Sequence, residues 1–583
     1  MKSIVLKMFW LAQVVLLAAV CVSAADTQIH GVVTDNTGKP VRGAMVKAST
    51  KDKSVARFTQ ADGRYEITVP AGSYDVSVDA FGFGGKRLTK DTTQSGDLNF
   101  SLTPRMDVAR LSDAELEQLV PEDVQGKLIK GTCIDCHGFS HLLLRRGYTA
   151  AEWSAFLPEM THGRRTQPVY GPEKLAALSA ALEKYFGPNS PYFGPDADPP
   201  TPQQLKHPAI SDAVLKATIR EFTPPAGMES FVHSVTLTDG ESGRPSKFTI
   251  DPHTESMVWF TQAGLKWGAA GSSKIARFDP VTETFKEYET NVHQNHTGVI
   301  DSQGRYWVAA ANPGLDQAKL VMLDTKSGQI KSYKYPGKQQ GAHSAVLDQA
   351  GNVWLSINAP PEGGPSEVWF FDTEKEQFKT YKIPTPAKYP AGSYADWRAG
   401  GDSQQDAEGG SGGAARYSTY HVTVDSKGMV WASSLTMGSL DKINPATGEV
   451  KEYNPQDVVG IRGVTVDQYD NVWFADYFRH HLGKLDQKTG KFKMYQPPTS
   501  GATPYGIVEE KRTGYIWYAD QNGANITRFD PKTEQFVEYP ISRPGIPRYI
   551  DIDKKGRVWF GEYFSGKIGF LDPGENTQSA ASR

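Results

Sequence analysis

The stretch Val424-Asp425-Ser426-Lys427-Gly428-Met429-Val430-Trp431 decides the fold of the larger part of this chain, because its pattern recurs. A strand ending near Asp follows most copies, as in Ile526-Thr527-Arg528-Phe529-Asp530, and a further strand closes the repeat, as in Phe536-Val537-Glu538-Tyr539. The tryptophans that mark the repeat are Trp259, Trp307, Trp354, Trp431, Trp473, Trp517 and Trp559. Four strands in each ~40–50 residues are the unit of a β-propeller blade. The repeats therefore predict a seven-bladed propeller over residues 219–575.

The closure of the ring can also be predicted. The seventh repeat stops after Leu571-Asp572-Pro573 without an outer strand of its own, and Ile219-Arg220-Glu221-Phe222 precedes the first repeat. We expect residues 219–222 to pair with the last blade, since this leaves no open sheet edge.

The repeats resemble the virginiamycin B lyase (streptogramin lyase) propeller family across roughly 350 residues, in Val-Trp-Phe and Lys-Ile-Gly-type segments. The resemblance implies lyase chemistry that depends on a histidine of an inner strand, a glutamate of the next strand and a nearby divalent metal. Glu562 keeps the glutamate, whereas Arg548 stands at the inner-strand position. Because an arginine does not act as a general base at neutral pH, Arg548 argues against the lyase reaction.

The first residues of the inner strands are expected to line the mouth of the central channel. Aligned on the Asp of each repeat, they are Ser246, His296, His343, Tyr420 with His421 beside it, Arg462, Tyr505 and Arg548. Carboxylates at the ends of second strands are expected near the same mouth: Asp476, Asp520 and Glu562. The candidate catalytic residues are His296, His343, His421, Arg462, Tyr505, Arg548 and Glu562.

Three interpretations of this mouth stay open. The histidines could bind copper or another divalent metal that prefers imidazole. They could instead serve as acid and base for a carboxylate or phenolate substrate held by Arg462 and Arg548. They could also be solvated channel lining, and His480 and His481 are interpreted as surface residues. An insertion at approximately 385–417 is either a flexible loop or a substrate lid.

A second motif, Gly131-Thr132-Cys133-Ile134-Asp135-Cys136-His137, has the C-x-x-C-H spacing of covalent haem attachment. The chain has three cysteines, and Cys21 lies in a segment expected to be removed. Cys133 and Cys136 would bond one haem c, and His137 would be an axial ligand. A structural disulfide or a dithiol redox site are the alternatives, and zinc would need two more ligands. Met160 is the best candidate for the second axial ligand; the alternatives are ligation by His141 or His162, with Met160 only a core residue.

Residues 104–187 change to a helical pattern. Ser112 with Glu115, and Thr149 with Glu152, fit the capping box, and Gly187 ends the last helix. We predict helices at about 112–120, 122–137, 149–160 and 172–186. The order of the motif, Trp153, Met160 and a final helix resembles a short class I cytochrome c, which implies a six-coordinate haem that transfers electrons.

Residues 26–103 consist of short alternating runs broken by turns, such as Asp62-Gly63-Arg64-Tyr65. They resemble the carboxypeptidase regulatory-like domain, which implies a seven-stranded immunoglobulin-like sandwich. A structural or docking role is favoured over carbohydrate binding, since no aromatic platform is evident. Residues 188–218 are proline-rich and are expected to form a stiff linker.

The fold class expected is therefore multidomain and mainly β, with a sandwich, a small all-α haem domain and a propeller. Residues 1–25 are typical of a signal peptide, which predicts a periplasmic or secreted protein, and residues 576–583 are expected to be a disordered tail. The net charge of −3 argues against a nucleic-acid surface, and no later apolar run is long enough to span a bilayer.

Three functions compete on these observations. The first is an oxidoreductase that oxidises a small organic substrate at the propeller mouth and passes electrons through haem to an external partner such as another cytochrome. The second is a metal-dependent lyase with ancillary haem. The third is a non-catalytic electron carrier or cell-envelope (carbohydrate) binding protein.

Overall fold

The protein is described by a computed structural model. The described residues are 26–94, 96–133, 138–162, 172–225, 230–244, 256–264, 273–292, 294–310, 319–336, 341–359, 366–384, 419–435, 437–458, 460–543 and 545–574. The predictions for the signal peptide, the insertion at 385–417, the tail, Ser246, Cys136 and His137 lie outside them. No helix within the described part of the chain is long and apolar enough to cross a membrane.

The N-terminal domain is a sandwich of seven strands, as the resemblance implied. One sheet has three strands, and the other belongs to an eight-stranded sheet that continues into the propeller. The strands are Asp26–Asp35, Met45–Ser49, Lys53–Phe58, Arg64–Pro70, Ser73–Asp79, Lys86–Asp91 and Phe100–Leu102. Their alternating burial places an apolar core, which includes Val46, Ile67 and Val76, between the two sheets.

The second domain is helical and is followed by a segment that packs on it. Its helices are α1 (Asp113–Leu119), α2 (Val124–Cys133), α3 (Ser140–Leu143), α4 (Ala150–His162) and α5 (Pro172–Phe186), with a 3₁₀ turn at Val108–Arg110. Both predicted capping boxes form: Ser112 with Glu115 and Thr149 with Glu152. The helix α3 was not predicted. The helices enclose one apolar cluster with Trp153 fully buried at its centre.

The proline-rich segment is less independent than the linker that its composition predicts. Phe193 and Leu205 are buried in the core of the helical domain, so the first half of the segment belongs to that domain. The segment also forms a 3₁₀ turn (Pro202–Gln204) and a short helix α6 (Asp212–Leu215), whose Val214 and Leu215 pack in the cluster shared with the propeller. Apolar side chains therefore anchor it at both ends.

Seven four-stranded blades follow, which confirms the predicted propeller. Within each blade the strands run from the inner to the outer position. Blades 1 to 3 are Ser230–Leu237, Val258–Gly264, Lys274–Asp279, Thr284–Glu289; Asn295–Ile300, Arg305–Ala310, Lys319–Asp324, Ile330–Lys334; and Gly341–Leu347, Val353–Ala359, Ser366–Asp372, Gln377–Ile383. Blades 4 and 5 are Thr419–Val424, Val430–Ser434, Leu440–Ile443, Val450–Tyr453; and Ile461–Val466, Val472–Asp476, His481–Asp486, Lys491–Tyr495. Blades 6 and 7 are Pro504–Glu510, Tyr515–Asp520, Asn525–Asp530, Gln535–Pro540; and Pro547–Ile552, Val558–Glu562, Ile568–Asp572 with Thr218–Phe222 as the outer strand.

The repeated Asp and Trp have a common structural role. In blade 5 the Trp473 indole donates to the Asp467 carboxylate at 2.8 Å, and Asp467 also accepts from the backbone of the intervening turn. The same bond joins Trp431 to Asp425 and Trp559 to Asp553. The motif thus holds the hairpin between the inner and second strands of a blade, which explains its periodicity.

The closing strand is confirmed, and it has a second partner. Residues Thr218–Phe222 pair with Ile568–Asp572 of blade 7 on one side and with Lys53–Arg57 of the sandwich on the other. The sandwich and the propeller therefore share one continuous sheet. The strand that removes the open edge of the ring also joins the first domain to it.

Candidate functional site

The channel mouth is built from an irregularity that all seven inner strands share. In blades 2 to 7, the pairing of the inner strand with its neighbour skips two residues near the start of the inner strand. In blade 1 it skips His233. The residues skipped are His233, His296–Thr297, His343–Ser344, Tyr420–His421, Arg462–Gly463, Tyr505–Gly506 and Arg548–Tyr549. A bulge re-aims side chains, so these polar residues leave the pleat of the sheet and are free to face the channel.

Contacts between neighbouring blades hold the bulges in place. The carbonyl of His296 accepts from Thr261 Oγ1 at 2.6 Å, and the carbonyl of Tyr420 accepts from Ser356 Oγ at 2.7 Å. In later blades a glycine replaces the hydroxyl contact. A Cβ added to Gly463 would lie 2.1 Å from the Tyr505 carbonyl oxygen, so only glycine fits there.

One side of the mouth is formed by histidines from blades 1 to 3. The rings of His233 and His296 are stacked, with centroids 4.3 Å apart, and the His343 ring lies 4.6 Å from that of His296. Ligand nitrogens of the three rings all lie within 4.8 Å of one another. Burial is the main reason that the pKa values of His233 and His343 lie well below the usual range, and the neighbouring imidazoles and the charges of Arg462 and Arg548 lower them further. Both histidines are therefore neutral at pH 7.

The other side carries tyrosines and arginines from blades 4 to 7. The guanidinium of Arg462 donates to the Tyr420 hydroxyl at 2.7 Å and to the Tyr505 hydroxyl at 3.2 Å. It also lies over the Tyr477 ring, 4.1 Å from the centroid, while Arg548 lies 3.5 Å from the Tyr563 centroid. Both arginines are buried. The two sides meet where the His343 and Tyr420 rings approach to 3.9 Å.

His421 lies beside this cluster, stacked on Tyr549 with centroids 5.7 Å apart. Burial lowers the pKa of His421 to about 4, so its imidazole is neutral and only weakly basic at pH 7. Burial also raises the pKa of Tyr420 and of Tyr549 well above the usual value, so the phenols remain protonated.

The three carboxylates predicted near the mouth, Asp476, Asp520 and Glu562, are buried beside groups of their own blades. The Asp520 carboxylate accepts from the backbone N–H groups of Thr503 and Gly523, and burial raises its pKa to about 6. Asp476 is fully buried, and its Oδ2 atom lies 3.6 Å from the Nδ1 atom of His481. The Glu562 carboxylate accepts from Ser565, and burial together with nearby Glu221 raises its pKa to about 7.

The sequence placed the channel residues of blades 2 to 7 well but missed blade 1. Ser246 was expected on the first inner strand, whereas that strand is Ser230–Leu237 and His233 occupies the channel position. The error has a physical origin: the chain between this strand and Val258 is long, so alignment on the nearest Asp selects the wrong segment. The turn Thr238-Asp239-Gly240, directly after the alternating run, was the signal in the sequence that could have identified this strand.

His480 was predicted to be a surface residue, but it is partly buried. Its Nδ1 lies 2.8 Å from the Ala502 carbonyl oxygen, and burial lowers its pKa.

The helical domain docks on the face of the propeller that bears the mouth. The backbone N–H of Ala114 donates to the Asn522 carbonyl at 2.9 Å, and Arg543 donates to the Arg110 carbonyl at 2.7 Å. Asn522 lies between the second and third strands of blade 6, and Arg543 precedes the inner strand of blade 7. Both connections are at the ends where the inner strands begin, so the helical domain lies beside the mouth.

A series of ring contacts runs from the helical domain to the histidines. His141, four residues after His137 in the sequence, lies 4.0 Å from the Phe564 ring. Phe564 contacts Phe231 and Tyr563, with centroids 5.3 and 4.8 Å away, and the Tyr563 ring lies 5.8 Å from that of His233. Each ring in this series is in or near van der Waals contact with the next.

Of the haem-motif residues, the structure describes Cys133, which is half-buried at the end of α2 and packs against the core of the helical domain. Met160 lies on α4, but its side chain is outside the described atoms. The indole N–H of Trp153 is fully buried and has no acceptor among the described residues.

Two family models match the chain. The carboxypeptidase regulatory-like domain matches residues 28–103, and the virginiamycin B lyase family matches residues 413–579. The second match spans blades 4 to 7, the tyrosine and arginine side of the mouth, and does not reach the three histidines of blades 1 to 3. Both resemblances inferred from the sequence are thereby confirmed over these residues.

Solved structures of lyases are also similar to the chain. A catalytically inactive variant of virginiamycin B lyase from Staphylococcus aureus, in complex with quinupristin, is 18% identical; the match covers 61% of this chain and 99% of that one, with a TM-score of 0.44. A streptogramin B lyase structure is 21% identical, with 62% and 99% covered and a TM-score of 0.44. No curated protein sequence matches the chain significantly.

Proposed function

We propose that this protein is an exported c-type haem oxidoreductase. A small organic substrate is bound and oxidised at the propeller mouth, and its electrons pass to an external redox partner such as another cytochrome. The observation that carries this proposal is the position of the helical domain, which docks beside the mouth and reaches His233 through His141, Phe564 and Tyr563.

Cys133, Cys136 and His137 would hold the haem, with Met160 as the second axial ligand. The buried Trp153 N–H supports this, because the core of the helical domain keeps a donor for which the described residues supply no acceptor. A group that carries carboxylates, as haem does, fits such a core. When bound, the haem supplies a one-electron redox centre whose potential the axial ligands set.

The arginine side of the mouth is suited to bind an anionic oxygen. Arg462 and Arg548 are buried together among aromatic rings, and their charges favour a carboxylate or phenolate over a cation. The hydroxyls of Tyr420 and Tyr505 accept hydrogen bonds from Arg462 and also bond each other, so two phenols lie beside the same guanidinium. A flat, anionic substrate is the class that matches this surface.

Proton release is assigned to His421. Oxidation of an alcohol or phenol releases protons as well as electrons, and the neutral imidazole of His421 can relay a proton between its two nitrogens, while its low pKa keeps the proton from resting there at pH 7. His421 follows Tyr420 directly in the chain, so this relay lies close to the phenol that Arg462 binds.

Lyase activity is a second candidate, favoured by the family match to residues 413–579. The pair that the family resemblance requires is not assembled here, since Arg548 replaces the histidine and the Glu562 carboxylate bonds to Ser565. A non-catalytic electron-carrying or carbohydrate-binding role is the remaining alternative.

The test begins with protein produced in a host that matures c-type haem. Its absorption spectrum is recorded oxidised and reduced, and small carboxylates and phenols are then added without oxygen. We expect one haem per chain, a weak far-red band in the ferric form that Met160→Ala removes, and reduction of the haem by at least one substrate. A protein without haem contradicts the proposal; substrate consumed without haem reduction indicates a lyase, and binding without turnover indicates the non-catalytic role.

Arg462→Gln sharpens this test. We expect it to raise the substrate concentration for half-maximal reduction by about tenfold or more, since a charged hydrogen bond is lost, while the haem spectrum stays unchanged. Arg64→Gln, at an exposed arginine of the sandwich, is the matched control and should leave the concentration unaltered.

A further inference from the structure

The histidines of blades 1 to 3 form a cluster with the composition of a metal site. His233, His296 and His343 come from three consecutive inner strands, and each lies at the bulge of its strand. Their ligand nitrogens lie within 4.8 Å of one another. Because imidazole is the ligand that copper, zinc, nickel and iron accept in common, three of them at one point select for a transition metal over magnesium or calcium.

Burial distinguishes this cluster from solvated channel lining. His233 and His343 are 1% and 2% exposed, and the Nδ1 atom of each has no hydrogen-bond partner among the described residues. A buried imidazole nitrogen without a partner is costly, and a metal ion would satisfy it. His296 is half-buried, so the cluster is open on one side.

We propose that His233, His296 and His343 bind one first-row transition-metal ion of the imidazole-preferring class, with copper bound most tightly. Affinity at nitrogen sites rises along the divalent series to copper, which makes copper the probe of choice. Three protein ligands leave a coordination position open, as catalytic metal sites do. The Tyr420 ring lies next to the site, with its centroid 3.9 Å from that of the His343 ring.

The strands already hold the ligands at suitable positions. An ion with nitrogen ligands at about 2.0–2.1 Å requires nitrogens about 2.9 Å apart at the square-planar angles of divalent copper and about 3.3 Å apart at tetrahedral angles. The observed separations of up to 4.8 Å close to these values by rotation of the rings. The His233 and His296 rings, now stacked within 6° of parallel, would turn so that their nitrogens converge. The backbone stays fixed while the rings rotate, because the hydroxyls of Thr261 and Thr297 donate to the carbonyls of His296 and His343 at the bulges.

This site differs from the one that the lyase resemblance implies. That site depends on blade 7, at the positions of Arg548 and Glu562, whereas the three histidines lie outside the residues that the family model matches. The proposal is also independent of the haem, because it concerns only propeller residues.

The test uses the full chain, stripped with a chelator and titrated with copper sulfate alone. The thiols of Cys133 and Cys136 are occupied by haem or, in protein without haem, are alkylated beforehand, so that they do not compete. We expect one copper per chain to remain after gel filtration, with an electron paramagnetic resonance spectrum that shows coupling to several imidazole nitrogens. Retention of less than a tenth of a copper ion per chain would overturn the proposal. A copper spectrum that shows coupling to no nitrogen, as expected for oxygen ligands alone, would also overturn it.

Variants then assign the ligands. His233→Ala, His296→Ala and His343→Ala should each weaken copper binding at least a hundredfold, whereas His30→Ala, an exposed histidine of the sandwich, should not. His421→Ala, in the same channel but outside the trio, should retain the bound copper. If the trio variants bind copper as the wild type does, the assignment is wrong. A variant that does not fold is replaced by the corresponding glutamine variant, judged by the number of coupled nitrogens.

Discussion

The two N-terminal domains are joined to the propeller in different ways. The sandwich shares a backbone ladder with blade 7, because the strand Thr218–Phe222 pairs on both edges. The helical domain has no such strand and is held by side chains and single backbone bonds, centred on Glu115, Arg543 and His207. The sandwich is therefore an extension of the propeller, whereas the proposed electron carrier is a docked body whose attachment can be weakened without unfolding the ring.

Deletion of residues 219–223 should have the largest effect, since it removes the element that both sheets share. Ile219 and Phe222 are buried in two separate clusters, so we expect a loss of roughly 5 kcal/mol or more. Calorimetry should show the propeller and the sandwich destabilised together. An unchanged melting temperature would mean that the ring closes without this strand.

Glu221→Ala tests the polar part of the same junction. Glu221 is 1% exposed, accepts from Ser54 at 3.0 Å and lies 3.3 Å from Lys567 Nζ. Its removal takes away a carboxylate that bonds half-buried Lys567, whose other acidic neighbour Glu562 remains, so we expect a loss of about 1.5–3 kcal/mol. Chemical denaturation measures the loss, and Glu66→Ala, at an exposed carboxylate of the sandwich, should change stability by less than about 0.5 kcal/mol. A smaller loss at Glu221 than at Glu66 would contradict the assignment.

Glu115→Gln should loosen the helical domain alone. The carboxylate accepts from Arg543 at 2.6 Å, contacts His207 at 2.7 Å and completes the capping box of α1. We expect a local loss of about 2 kcal/mol, seen as faster hydrogen exchange in α1 while the propeller melts at its usual temperature. Arg543→Gln should reproduce the effect, and loss of propeller stability in either variant would show that the two bodies are not separable.

Acid should weaken the same contact. Burial by itself would raise the pKa of Glu115, but the Arg543 charge and His207 outweigh it and hold the pKa at about 2, below the ordinary 4.5. Because the folded pKa is the lower one, the stabilisation is complete above pH 4.5 and is lost as the pH falls toward 2. Asp113 and Glu117 on the same helix have raised pKa values and act in the opposite direction, so the measured quantity is the difference between the wild type and Glu115→Gln. A difference that persists unchanged at pH 2.5 would refute the linkage.

The smallest effect is expected at the rim of the helical interface. Gln118 accepts from the Lys206 N–H at 2.8 Å and reaches the Ser500 carbonyl at 3.5 Å. Such a solvent-accessible contact contributes little, so Gln118→Ala should change stability by less than about 0.5 kcal/mol. An effect as large as that of Glu115→Gln, measured by the same exchange experiment, would mean that the docking energy is spread over the whole interface.

Much of this architecture follows from local sequence patterns. In blades 2 to 5 and in blade 7 the Asp and Trp bond across six residues, so the motif identifies its own hairpin. The capping boxes of Ser112 and Thr149 are equally local, and the missing outer strand of blade 7 left residues 219–222 as its natural partner. The inner strand of blade 1 was predicted wrongly because a long segment separates it from Val258, and a pattern searched over a short window does not cross such a gap.

The sequence by itself therefore determined the repeats, the strand left over to close the ring and the residue types at the mouth in blades 2 to 7, because each appears in a local pattern. Only the tertiary structure decided which of these side chains meet. Closing the ring brings His233 and His343 together across 110 residues, turns Glu562 toward Glu221, and places the helical domain beside the mouth. Such contacts depend on the packing of whole blades and domains, and no periodicity along the chain records them.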